Sequence, residues 1–246
     1  MAYFDGFVIP VPTANKDQFI AHARLGDPVF IEKGAVRVVE CWAEDVSHGK
    51  VTDFYGAVDA KEGESIVFSW IEWPDKATRD QGMAAMMDTD NPDPRMDPAK
   101  NPAPFDGKRM IYGGFEPLVI EGDLSALPYV QGFIVPVPHA KREEYRAVAR
   151  DAWEKVFRPY GALCVLEAWG DDVPNGEVTD FYRAGKATGD ENAVFSFMAW
   201  PSREACDAAA ERMQSDPNMQ MPEGGMPFDG MRMIYGGFVP VVKLGD

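Results

Sequence analysis

From Tyr3 to Val11 the chain is dense in β-branched and aromatic residues, and Pro10 and Pro12 then punctuate it, a composition that predicts a first strand ending there. Asn15 and Gln18 have the spacing of a capping box for the helix that follows. Gly26 and Pro28 predict a break or kink in that helix. Val36 to Trp42 reads as a second strand, in which alternation commits Val36, Val38, Glu40 and Trp42 to one face. A turn through Asp45 to Gly49 comes next, then strands near Val51 to Val58 and Ser65 to Trp73 and a helix near Asp75 to Met87. A closing strand from about Arg109 to Val119 completes a unit of order βαβ, β, β, αβ. Farther on, Tyr145, Val148, Ala149, Ala152 and Val156 recur at helical spacing and predict an amphipathic helix with one buried stripe.

The same pattern is written twice. GFVIPVPTA from Gly6 returns as GFIVPVPHA from Gly132, and ECWAEDVSHGKVTDFY from Glu40 as EAWGDDVPNGEVTDFY from Glu167. VFSWIEWP from Val67 returns as VFSFMAWP from Val194, and PFDGKRMIYGGFEP from Pro104 as PFDGMRMIYGGFVP from Pro227. Four blocks in one order, about 125 residues apart, predict two units, 1–123 and 129–246, joined by a linker at about 122–128. Each unit has its helices on one face of its sheet, so the other face needs cover, and a second sheet supplies it. Fusion makes that encounter intramolecular at an effective concentration of roughly millimolar or more, and leaves further homodimerisation of the whole chain possible but not required.

The run GFVxPVP, ECWxxDVxxGxVT, VFSWxxWP and PFDGxRMIYGGF resembles the YbaA-like bacterial domain family of unknown function, in the dimeric α+β barrel superfamily. The resemblance covers almost the whole chain, once per half. It implies an α+β fold of two ferredoxin-like βαβ-type units whose antiparallel sheets pack as an intramolecular pseudo-dimer and close a barrel. It implies no established activity. The chain departs from the single-domain pattern by carrying two copies, and VTDFY stands where a less polar continuation of the third strand is expected.

Charge narrows the partners. With 40 acidic against 24 basic residues and a formal charge of −16, the surface repels phosphate backbones and anionic lipid, so neither nucleic acid nor a membrane is expected as partner. The N-terminal residues lack a basic leader and no stretch approaches the length of a membrane span, which places the protein in the cytoplasm. Cys41, Cys164 and Cys206 have neither CxxC nor Cys/His spacing and signal no disulfide framework and no zinc site.

A catalytic group needed by both halves has to occur in both. The histidines fail that test: His22 has no histidine counterpart, His48 matches Asn175 and His139 matches Thr13, so each reads as a surface residue and no metal site is expected. A metal-dependent enzyme of the vicinal oxygen chelate type is a rival reading, with only Glu40 and Glu167 as ligands. No motif calls for a cofactor: GxSxG, P-loop and GxGxxG are all absent, and the paired glycines after Tyr112 and Tyr235 suit a bulge or close packing. The candidates that pass are Glu40 and Glu167, each sharing an apolar strand face with Trp42 or Trp169, with Arg109 and Arg232 as their expected guanidinium partners. Asp53 and Asp180, Ser69 and Ser196, and Tyr112 and Tyr235 form a second tier, whereas Asp45, Asp172, Asp106 and Asp229 suit turns. The stretches Thr89 to Pro104 and Asp216 to Pro227 read as mobile connections, with Met96, Met219, Met221 and Met226 available to line an apolar mouth. Together these point to a small-molecule binder or cofactor-independent enzyme, with a non-catalytic structural or interaction protein as the alternative.

Overall fold

The computed structural model describes residues 1–87, 92–216 and 225–245. Eight strands are formed among the described residues: β1 (Tyr3–Pro12), β2 (Arg37–Asp45), β3 (Glu64–Trp73), β4 (Ile111–Gly122), β5 (Tyr129–Pro138), β6 (Cys164–Asp172), β7 (Glu191–Trp200) and β8 (Ile234–Leu244). They close into one antiparallel barrel in the order β1-β3-β2-β8-β5-β7-β6-β4, so the fold is α+β. Two ladders, β2 with β8 and β4 with β6, join strands of the first half to strands of the second.

Alternation sorts the side chains. Val39 and Cys41 of β2 point into the barrel, whose interior is packed with Phe4, Phe68, Trp70, Phe115, Phe195, Phe197 and Phe238. Rings from the two halves meet there: Phe68 stacks on Phe195 at 4.6 Å between centroids, and Trp70 on Phe197 at 4.1 Å. These rings explain the glycine that opens each repeated GF block. A Cβ on Gly6 would lie 2.7 Å from Phe195, and one on Gly132 would lie 2.9 Å from Phe68. Val38, Glu40 and Trp42 face outward to the helices, while Val36 precedes the strand and is exposed.

The helices are α1 (Lys16–Gly26), α2 (Pro28–Glu32), α3 (Phe54–Ala57), α4 (Lys76–Met86), α5 (Arg142–Ala152), α6 (Phe181–Ala184) and α7 (Arg203–Ser215). The break expected at Gly26 and Pro28 separates α1 from α2, with Pro28 in the first turn of α2, where its missing N–H costs nothing. The second half has no proline there, and Trp153–Phe157 continue α5 as a π-helical turn. The offset between copies grows from 126 at Gly6/Gly132 to 127 at Glu40/Glu167, and a π-turn is how a helix absorbs such an insertion. Asn15 does not close a capping box with Gln18; its side-chain amide donates to the Pro104 carbonyl at 3.0 Å.

The strand expected near Val51 to Val58 is not formed. Asp53 caps α3 instead, accepting from the Gly56 N–H at 2.6 Å, and Asp180 caps α6 through Arg183 N–H at 2.8 Å. Phe54 and Phe181, carried on these single turns, are buried in the barrel interior. Thr52 Oγ1 donates to the Ala184 carbonyl at 2.6 Å and Thr179 Oγ1 to the Ala57 carbonyl at 2.8 Å, so the repeated VTDFY fastens each half to the other. Among the described residues no helix is long and apolar enough to cross a membrane.

Candidate functional site

On the outer face of the first half, between β1, β2, β3 and the α1–α2 corner, lies a cavity of about 240 Å³. Phe7, Ile9, Val38, Glu40, Ser69 and Ile71 form its floor, and Phe19, His22, Ala23, Gly26, Asp27 and Phe30 its helical wall. The connection leading into β4 roofs it with Arg95, Met96, Asn101, Phe105 and Met110. That roof is tied down. Asn101 donates to the carbonyls of His22 and Arg95, which makes its other amide atom the oxygen that His22 Nδ1 meets at 2.8 Å, so Nδ1 carries the proton. Arg95 holds Glu32 of α2 at 2.6 Å. The described part of the stretch expected to be a mobile connection is thus latched to the helices; Met219 and Met221 lie outside the described residues.

Two carboxyls face this space. Glu40 and Asp27 are each 8% exposed, and Glu40 Oε2 and Asp27 Oδ2 have no hydrogen-bond partner. Glu40 lies opposite Ser69 in the β2–β3 ladder and takes that hydroxyl's hydrogen bond. Burial drives Glu40 well above the usual carboxylate range, the nearby Asp27 charge raises it further, and Ser69 offsets only part. Burial alone pushes Asp27 up to about 7. His22 is moved the other way, below its ordinary value, because burial disfavours the imidazolium more than Asn101 supports it. Burial and mutual repulsion thus hold both carboxyls above the ordinary carboxylate range, two acids sharing one apolar chamber.

The second half fills the same place. Tyr145 stands where Phe19 does and donates to Glu167 Oε2 at 2.7 Å; Trp153, 3% exposed, stands where Asp27 does. Both pack in one cluster with Phe133, Val135, Val165, Met198 and Phe228, the counterparts of the first cavity's lining. Glu167 is raised to about 7 by burial, against the hydrogen bonds of Tyr145 and Ser196.

The arginines do not join these acids. Arg109 forms a bidentate pair with Glu64 at 2.6 and 2.7 Å and also holds Asp106, and Arg232 does the same with Glu191 and Asp229. Each guanidinium also donates to the carbonyl of a residue in the left-handed region, Asp59 (φ 47°) or Lys186 (φ 50°). The pairing is with the acid that opens β3 or β7, because β3 and β4 both flank β1, as β7 and β8 both flank β5. Trp42 lies beside the cavity against Phe19, under Lys16, and Trp169 lies under Arg142. Tyr112 is exposed on Phe7. Tyr235 and Asp53 border a different hollow of about 480 Å³, which holds no buried unpartnered oxygen among the described residues.

The requirement that a site residue occur in both halves set His22 aside as a surface residue, whereas it lines the first-half cavity, and the same requirement passed over Asp27. An acid between a helix-ending glycine and a proline, on the stripe that also carries Phe19 and Ala23, was the available signal. Among the described residues no group of three His, Cys, Asp or Glu side chains is gathered to hold a metal ion.

Solved structures share the fold. A proposed monooxygenase from Lactobacillus acidophilus NCFM superposes over 99% of this chain and 96% of its own, with a TM-score of 0.58 at 12% identity. An anthrone oxidase-like protein covers 99% and 92%, at a TM-score of 0.55 and 12% identity. In sequence, the uncharacterised protein YbaA of Escherichia coli (strain K12) is 54% identical over 121 residues, the whole of that protein and 49% of this chain. YbaA of Shigella flexneri matches to the same extent. The model of the DUF1428 family, described as a protein of unknown function, matches residues 2–107 and again 128–230, and the chain belongs to that family as two tandem copies.

Proposed function

We propose that the chain carries one small-molecule site, in its first half, at which Asp27 and Glu40 exchange a proton with the bound molecule. The observation that carries this reading is the pair of buried carboxyls whose Oδ2 and Oε2 atoms have no partner at the wall of a 240 Å³ apolar cavity. An unpaired buried carboxyl is costly, and proteins keep such groups where a ligand or a proton transfer uses them. The pair supplies acid–base chemistry by itself, and the names of the oxygenase-like and oxidase-like neighbours are in keeping with a small organic substrate.

In the same reading the chain is an intramolecular pseudo-dimer of two ferredoxin-like units, 1–123 and 129–246, the single-copy length of YbaA supporting that division. The three cysteines are buried and free, which supports the cytoplasm as its compartment. The non-catalytic alternative fits the second half alone, where the space is filled.

The test is native mass spectrometry of purified protein, with extraction of the retained molecule. Wild type and Glu167→Gln should retain it at one per chain, and Asp27→Asn and Glu40→Gln should lose it. Equal retention in all four proteins would place the ligand elsewhere and end this reading.

A further inference from the structure

Resting on that reading, we infer that the molecule taken by the first-half cavity is a small hydrophobic amine, bound as its ammonium ion between Asp27 and Glu40. A cation lodged between them favours the ionised form of both side chains, each more than nine-tenths buried, and as carboxylates their unpartnered atoms accept, so the ligand has to bring donors. A primary ammonium brings three, enough for Asp27 Oδ2 and Glu40 Oε2 with one to spare, whereas a hydroxyl brings one.

The basic groups around the pair do not do this work. Arg95 spends its guanidinium on Glu32 and Asp93, at 2.6 and 2.7 Å. His22 commits Nδ1 to Asn101. No other basic side chain lines the cavity among the described residues. The rest of the wall suits an organic cation. Phe7, Phe19, Phe30 and Phe105 present aromatic rings, whose faces attract positive charge and whose bodies take an apolar tail. A volume of 240 Å³ equals that of about eight liquid waters, the scale of a phenylalkylamine. The net charge of −16 draws cations toward the protein.

The second half supplies an internal outline of the ligand. There the protein fills the place itself, with a hydroxyl donor on Glu167 from Tyr145 and the indole of Trp153 in place of the second acid. A hydrogen-bond donor joined to an aromatic frame is what the first half lacks.

Isothermal titration at neutral pH with 2-phenylethylamine, 2-phenylethanol and phenylacetate separates the possibilities. The amine should bind at one per chain, at least about tenfold more tightly than the alcohol, and phenylacetate should not bind. Glu40→Gln and Asp27→Asn should each cost the amine about tenfold or more while sparing the alcohol. Asp27→Trp, which copies the second half, should exclude both; if that variant does not fold, Phe19→Tyr offers Glu40 the hydroxyl that Glu167 has and should weaken the amine selectively. Alcohol binding as tight as the amine's, and removed by Asp27→Trp, would overturn the ammonium assignment and leave the pocket standing. Binding by neither would overturn both.

Discussion

Placing Asp27 and Glu40 together out of water makes the first half sensitive to pH in a definite direction. In the unfolded chain Asp27 releases its proton near the ordinary 3.8, and in the folded protein near 7. Between those values the folded state binds more protons, so this group's contribution to stability falls as pH rises from about 4 to about 7 and is level above. Asp27→Asn should flatten that decline in denaturant titrations across the range, and an unchanged slope would mean that Asp27 is not held out of water. On the other side, Tyr145→Phe removes the donor from Glu167 Oε2 and should cost about 1–3 kcal/mol, read as a lower denaturation midpoint. Sequence alone reached Glu40 and Glu167, because strict alternation fixes which strand face an acid occupies. It did not reach Asp27, which sits at a helix break without periodicity, nor the true partners of Arg109 and Arg232, since Glu64 and Glu191 approach them only across a neighbouring strand.

Short elements were the hardest to read and have the most specific contacts. VTDFY carries β-branched and aromatic residues and so resembles a strand, while a helix as short as α3 has no turn-to-turn period to detect. Its identity comes from Asp53, whose carboxylate accepts from Gly56 N–H and Gly49 N–H and is held below the usual range by those bonds, working against its partial burial. Asp53→Ala should cost about 0.5–2 kcal/mol as a lost cap. Thr52→Val and Thr179→Val break reciprocal bonds at facing sites, and a double-mutant cycle on thermal unfolding should show coupling of about 0.5 kcal/mol or more. At the mouth of β4, Arg109→Met leaves Glu64 with only the Lys61 N–H, in a site where both side chains of the pair are under one-tenth exposed; the expected loss is about 1–3 kcal/mol, against near neutrality for a surface pair such as Lys155–Asp151.

Across the whole molecule, each half depends on the other for hydrogen bonding as well as packing. Separating them unpairs β2 from β8 and β4 from β6 and removes Phe195 and Phe197 from Phe68 and Trp70. Residues 1–123 expressed alone should therefore associate as concentration rises, and sedimentation that stays monomeric at high concentration would contradict the shared barrel. The repeat made that arrangement legible, because two copies with an uncovered sheet face call for each other. What the repeat concealed is that the copies differ in their outer chambers, at Phe19 against Tyr145 and Asp27 against Trp153. A barrel assembled from two identical chains has to accept every substitution twice, so a change that improves one chamber is imposed on its mirror image. With both copies on one chain that obligation is lifted: the codon for position 27 and the codon for position 153 mutate separately, and one chamber is free to stay solid and carry structural weight while the other stays open.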